Sequence, residues 1–161
     1  MIILGIDPGY GRTGYAVLKK RSAQSIDLVA YGCIETDKQK SSERRLAELE
    51  EEIRRIITRY RPNLLAIEQL FFAKNVTTAI RVGEARGVIL AAAGRKSIPV
   101  IECSPTEIKN AVTGYGKATK RQIQNMVSTL FHLKKNITPD DAADAVAVAW
   151  TALNKAKTSK T

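Results

Sequence analysis

Residues 5–14 read GIDPGYGRTG and decide between two kinds of fold. The glycines at positions 9, 11 and 14 match the G-x-G-x-x-G pattern, which binds a dinucleotide only where a helix follows the glycines and receives the pyrophosphate. Residues 15–20, YAVLKK, follow instead, and they are β-prone with no helical spacing. We therefore interpret Pro8, Gly9 and Gly11 as turn residues between two strands, which leaves the role of Asp7, just before the turn, to be explained.

Outward from this hairpin, the hydrophobic pattern predicts a single α/β domain. Residues 2–6, 14–19 and 26–34 predict three strands of an antiparallel meander. The rest of the chain predicts strands at residues 64–68 and 98–102 and helices at residues 41–61, 75–95, 105–112, 119–133 and 139–154. This order predicts a five-stranded mixed sheet, with three antiparallel strands and then parallel ones, and helices on both faces. We expect one domain over residues 1–154 and a flexible basic tail over residues 155–161.

Composition limits the class of protein. The 161 residues suit one domain, and no apolar run approaches the ~20 residues that a membrane helix needs. The first residues, MIILGID, lack the basic start of a signal peptide, so we expect a cytoplasmic protein. Cys33 and Cys103 form no C-x-x-C pattern, and we interpret both as buried thiols in a reducing compartment.

The charge indicates a polyanionic partner. The net charge is +10 and the isoelectric point is about 9.8, a balance that nucleic acid most often explains in a single domain. No acidic residue lies between Glu107 and Asp140. A solvated basic face is the alternative to phosphate binding in this segment. The candidate DNA-binding residues of this acid-free segment are Lys109, Lys117, Lys120 and Arg121.

Four of the 16 acidic residues do not lie on the polar face of an amphipathic helix or in another ordinary position. Asp7 ends the first strand, where an Asx turn is the alternative role. Glu68 ends a strand that should be buried on both sides, and a buried carboxylate needs a cation. Asp141 could complete a capping box with Thr138 as N-cap. Asp144 lies one turn deeper in the same helix and has no such local role.

These four carboxylates should meet at one edge of the sheet. Parallel strands would bring Asp7 and Glu68 to the same carboxyl edge, and the alanine-rich last helix could pack closely enough to add Asp141 and Asp144. Mg²⁺ prefers such oxygen ligands, with Mn²⁺ as a possible substitute. Two ions about 4 Å apart would suit in-line phosphodiester hydrolysis. An acidic, metal-binding centre in a basic protein indicates a nuclease.

Four segments resemble the RuvC family of bacterial Holliday-junction resolvases: GIDPG…TGYAV, AIEQLFFAKN, GEARGV and DDAADAVAVA. The resemblance covers essentially the whole chain. It implies a ribonuclease-H-like fold and a two-fold homodimer that cuts two opposed strands of a four-way DNA junction with Mg²⁺, leaving ligatable nicks in recombination and repair. It also implies contact with the RuvA–RuvB branch-migration complex.

The resemblance assigns roles residue by residue. It makes the four acids catalytic and gives Lys109 and Lys120 roles at the scissile phosphate. Some relatives carry a histidine where this chain has Asp141. An aromatic residue at Phe71 would stack on a base, with Phe72 as an alternative for the same role. The remaining residues that we expect to contact DNA are Lys74, Lys117 and Arg121.

The helix predicted at residues 75–95 contains Gly83-x-x-x-Gly87. Each glycine costs about 1 kcal/mol in a helix relative to alanine, so close packing is the expected reason. Either the homodimer interface or the protein's own sheet could provide that packing.

Two other functions compete with junction cleavage. Another nuclease of the same fold, such as one that processes ribosomal RNA, would share the acids. A non-catalytic DNA-binding module would need neither Glu68 nor Asp144. A sugar-kinase-like ATPase needs two such domains, for which 161 residues leave no room.

Overall fold

Five strands and five helices follow one another in the order that the hydrophobic pattern predicts. The computed structural model describes residues 1–22, 24–70 and 76–158, with the backbone alone at 157 and 158. The elements in chain order are β1 (Ile2–Asp7), β2 (Arg12–Lys20), β3 (Ile26–Glu35), α1 (Ser42–Tyr60), β4 (Leu64–Glu68), α2 (Val76–Gly94), β5 (Val100–Cys103), α3 (Pro105–Thr113), α4 (Lys120–Leu130) and α5 (Asp140–Thr158).

The strands form one mixed sheet in the order β3-β2-β1-β4-β5. β1 pairs antiparallel with β2 and β2 with β3, whereas β1–β4 and β4–β5 are parallel pairs. The predicted five-stranded sheet is therefore confirmed. Because Ile6 is opposite Ile67 in the parallel pair, Asp7 and Glu68 follow at the same carboxyl edge.

Helices cover both faces of the sheet and enclose two hydrophobic cores. One core packs α1 and α2 against the sheet through residues such as Ile53 and Ile89, both fully buried. The other packs α3, α4 and α5 against the opposite face and includes Val146 and Leu153. Within the described ranges, none of these helices has the length and apolar character needed to cross a membrane.

α5 lies unusually close to the sheet because small residues meet on both sides. A Cβ atom on Gly5 would lie 2.4 Å from the carbonyl oxygen of Ala145, and one on Gly14 would lie 1.8 Å from that of Asp141. Gly14 is thus part of β2 beneath a helix, whereas the turn interpretation accounts for Gly9, whose Cβ would meet the Arg12 carbonyl at 2.1 Å. This close approach positions the start of α5 over the ends of β1 and β2.

Some details differ from the prediction: β2 begins at Arg12, β5 spans Val100–Cys103, and α4 ends at Leu130. α5 begins at Asp140 rather than at Pro139, so Asp141 is not the third residue of the helix and the proposed capping box with Thr138 does not form. α5 also continues past residue 154 to Thr158. Cys103 is a buried free thiol as predicted, but Cys33 is only partly buried, because β3 is the edge strand of the sheet.

Candidate active site

Asp7 is the centre of an acidic cluster at the carboxyl edge of the sheet. Its pKa is raised to about 7, first by burial and then by the negative charges of Glu68, Asp144 and Asp141. β1 and β4 supply Asp7 and Glu68, while the first turns of α5 supply the two aspartates. The structure therefore brings together all four acids that the sequence singled out.

The pKa values of two neighbouring acids, Glu68 and Asp144, are raised as well. Burial, and then the charge of Asp144, raises the pKa of Glu68, against a hydrogen bond with Asp7. Burial also raises the pKa of Asp144, although Lys120 opposes this rise. Since each of these groups is ionised only at an energetic penalty, the cluster favours cations or protons at its centre.

Two basic side chains partly neutralise the cluster. Lys120 Nζ lies 2.9 Å from Asp144 Oδ2 and 3.5 Å from Asp140 Oδ2. Burial lowers the pKa of Lys120, but the hydrogen bond with Asp144 outweighs it and the pKa is raised. Arg12 Nη2 lies 2.9 Å from Asp141 Oδ2, and its Nε lies 3.6 Å from Glu35. The described part of the chain contains no group of three or more His, Cys, Asp or Glu side chains already arranged to hold a metal ion.

A cavity of about 240 Å³ opens beside the cluster. Its polar lining consists of Glu68, Asp144, Lys109 and Lys120, so the two lysines assigned to the scissile phosphate do lie beside the acids. A larger cleft of about 660 Å³ lies against α1 and contains none of the four acids. The smaller cavity is therefore the better candidate for a reactive centre, because it combines buried carboxylates with cations.

The remaining predicted DNA contacts are less constrained. Lys117 and Arg121 are exposed, and neither lines the cavity beside the acids. Phe71, Phe72 and Lys74 lie outside the described residues. Sequence reasoning missed the ion pair of Arg12 with Asp141, because no local pattern links the β1–β2 turn to the start of α5.

Comparison with known proteins identifies the family. The model of the family described as crossover junction endodeoxyribonuclease RuvC matches residues 3–152. The chain belongs to the RuvC family. The family's protein from Thermosipho melanesiensis is 53% identical over 93% of this chain and 95% of its own length. That from Petrotoga mobilis is 52% identical over 93% of this chain and 91% of its own length.

Solved structures agree with this membership. Thermus thermophilus RuvC in complex with Holliday junction substrate matches with a TM-score of 0.93 and 31% identity, covering 99% of this chain and 96% of that one. The ribonuclease-H-like fold is thus confirmed, and the chain is a crossover junction endodeoxyribonuclease, an enzyme of DNA recombination and repair. These matches support the junction nuclease over the ribosomal-RNA nuclease that the sequence had left open.

Proposed function

We propose that Asp7, Glu68, Asp141 and Asp144 are the catalytic residues and hold divalent metal, most simply two Mg²⁺ ions, for which Mn²⁺ can substitute. The observation that carries this proposal is the position of Asp7, whose pKa is raised to about 7 first by burial and then by the charges of three neighbouring carboxylates. A purely structural acid in that position would be destabilising, whereas a metal ligand gains from it.

The residues present fit such a metal. The donors are carboxylate oxygens, which Mg²⁺ prefers, and the cluster already attracts two cationic side chains. When bound, the metal would lower the pKa of the attacking water and stabilise the leaving 3′ oxygen. Asp7 and Glu68, fixed at strand ends, would hold the metal from the sheet, and Asp141 and Asp144 would hold it from α5.

The lysines beside the acids have a separate task. Lys109 and Lys120 line the same cavity as Glu68 and Asp144, so both can reach the phosphates that flank the scissile bond. Lys120 would exchange its contact with Asp144 for a DNA phosphate once metal neutralises the acid. Lys117, Arg121, Lys74 and one of Phe71 and Phe72 would extend this DNA-binding surface.

We also propose that the enzyme is a two-fold homodimer that pairs through α2. Val76 is 67% exposed and Ile80 is 58% exposed, and both lie on the same side of the helix. Among the described residues, nothing lies within 4 Å of a Cβ built on Gly87, so packing against the described part of the protein's own sheet does not explain this glycine. A second copy would bury these apolar side chains and relate two active sites by one axis, as paired symmetric cuts require.

The dimer has its own test. Ile80→Glu places a charge at the centre of the proposed interface and should shift the protein from dimer to monomer in sedimentation equilibrium. The exposed Met126 on α4 provides the control, since Met126→Glu should leave the mass unchanged. A monomeric native protein would contradict the proposal.

We further propose that the enzyme acts in the cytoplasm and contacts the RuvA–RuvB branch-migration complex.

The metal proposal is tested by cleavage of a synthetic four-way junction, with mapped nicks and a Mg²⁺ titration. We expect paired nicks at symmetric positions in two opposed strands, ends that DNA ligase can seal, and no cutting in EDTA. A linear duplex of the same sequence is the control and should stay intact. Junction cleavage that persists after exhaustive chelation would contradict a metal-dependent site.

A further inference from the structure

Tyr10 lies in the β1–β2 turn, three residues after Asp7, and its ring is contacted by two arginines. The guanidinium carbon of Arg45 lies 4.1 Å from the ring centroid, and that of Arg81 lies 5.2 Å from it. Arg45 belongs to α1 and Arg81 to α2, so both approach from the face of the sheet opposite α5. Two positive groups thus converge on one aromatic ring beside Asp7.

This arrangement is held in place by hydrogen bonds. Arg45 is only 7% exposed; its Nε donates to Thr36 Oγ1 at 3.0 Å, and its Nη2 donates to the Tyr10 carbonyl at 3.5 Å. The Thr36 hydroxyl donates to the same carbonyl at 3.2 Å, and the Thr36 N–H donates to the carbonyl of Gly11 at 3.1 Å. The turn and its arginine are therefore preorganised.

In the part of the chain that the structure describes, no carboxylate pairs with the two arginines of this cluster. Arg86 and Arg95, in and just after α2, form ion pairs with Glu102 and Glu50. Within residues 1–22, 24–70 and 76–158, the ion pairs include neither Arg45 nor Arg81. A buried guanidinium without a carboxylate attracts an anion strongly, because the surrounding dielectric is low.

We infer that Tyr10, Arg45 and Arg81 form a phosphate-binding subsite for the DNA strand that is cut at the acidic cluster. Arginine recognises phosphate oxygens through its planar fork of N–H donors, and the exposed Arg81 is the group that can bind directly. Arg45 supplies charge from beneath the ring, and Tyr10 holds the two guanidinium groups together.

The location of the subsite gives it a distinct role. Lys109 and Lys120 belong to α3 and α4, on the α5 side of the sheet, whereas Arg45 and Arg81 lie on the other side. The backbone from Asp7 to Tyr10 spans at most about 11 Å, which keeps the subsite within a few nucleotides of the scissile phosphate. The two lysines and the two arginines would therefore contact the DNA strand on opposite sides of the scissile phosphate. This inference rests on the proposed cleavage at the acids.

The test is junction binding in EDTA, where no cutting occurs, over a series of salt concentrations. Arg81→Gln should weaken binding several-fold and reduce the slope of log affinity against log salt by about 1, the effect of one lost phosphate contact. Tyr10→Leu should also weaken binding, and by more than Tyr10→Phe, which keeps the ring. Arg95→Gln is the matched control, because Arg95 lies about 20 Å away along the helix axis and is paired with Glu50.

The outcomes separate this inference from the function on which it rests. If Arg81→Gln and Tyr10→Leu both bind with the affinity and salt slope of the native protein, the subsite is wrong while the catalytic acids are unaffected. If the native protein neither binds nor cuts the junction, the proposed function itself fails. Arg81 is exposed, so its substitution tests the subsite without altering the core.

Discussion

Two groups of acidic residues in this molecule occupy opposite physical situations. The acids of α1 lie at the surface and pair with basic side chains, as Arg55 does with Glu51 and Glu52. Asp7 and Glu68 are instead buried at the sheet edge, where burial raises the pKa of each. Surface pairs of the first kind contribute about 0–1 kcal/mol, so they can be lost with little effect.

The difference shows where the fold carries its function. Natural proteins seldom retain buried like charges that destabilise the fold unless the charges serve a reaction or bind a cation. In this chain the strained group lies at the carboxyl edge of parallel strands, where α/β proteins bind their ligands.

The largest effect is expected from removing the central charges. Asp7→Asn or Glu68→Gln should reduce junction cleavage by about 10³-fold or more, because metal-centred stabilisation of the transition state would be lost. Junction binding in EDTA should stay within a few-fold of the native value. Glu51→Gln on α1 should cut normally, and a fully active Asp7→Asn enzyme would refute the assignment.

The same substitution should stabilise the metal-free protein. Because the pKa of Asp7 rises from 3.8 to about 7 on folding, the folded state holds its proton more tightly, and stability falls as the pH rises between these values. Asp7→Asn avoids this loss, so its advantage should reach roughly 2–4 kcal/mol above pH 7 and vanish below about pH 4. Urea denaturation across this pH range measures it, with Glu51→Gln as the control; a pH-independent difference would contradict the account.

The close approach of α5 should be sensitive to one methyl group. Gly14→Ala places a Cβ 1.8 Å from the Asp141 carbonyl oxygen, so the helix must shift, at a cost of about 1–3 kcal/mol in the free energy of unfolding. Cleavage should fall as well, because the shift moves two of the acids. Gly94→Ala has open space around it and should do neither. Unchanged cleavage by a folded Gly14→Ala protein would contradict the claim that activity depends on the position of α5.

The smallest effect is expected at Arg12, whose guanidinium group pairs with Asp141. Arg12→Gln removes a competitor for the carboxylate, so Mn²⁺ should bind about three-fold more tightly in the absence of DNA, a modest gain because Arg12 is solvent-screened. Arg21→Gln, which breaks an exposed pair with Asp27, is the control. Calorimetric titration of Mn²⁺ into the DNA-free protein measures this change. Weaker Mn²⁺ binding by Arg12→Gln would contradict the prediction, because Arg12 would then help Asp141 to bind the metal.

Much of the fold and of the acidic site could be predicted from the sequence. The period of the apolar residues predicted every strand and helix, and Glu68 stood out because LLAIE has no local use for a charge. The pairings of Lys120 with Asp144 and Arg12 with Asp141 were not accessible, since they depend on how α4 and the β1–β2 turn pack against α5. The close approach of Gly14 to α5 was not accessible either, because the helix that it contacts lies far along the chain.

The central claim is that the buried acids jointly bind metal, and calorimetric titration of Mn²⁺ into the DNA-free protein tests it most directly. The native protein should show saturable binding that is lost in Asp7→Asn and in Asp144→Asn but retained in Glu51→Gln. Binding by Asp7→Asn and Asp144→Asn with native stoichiometry and affinity would contradict the claim, because the metal would then be held somewhere other than the buried cluster.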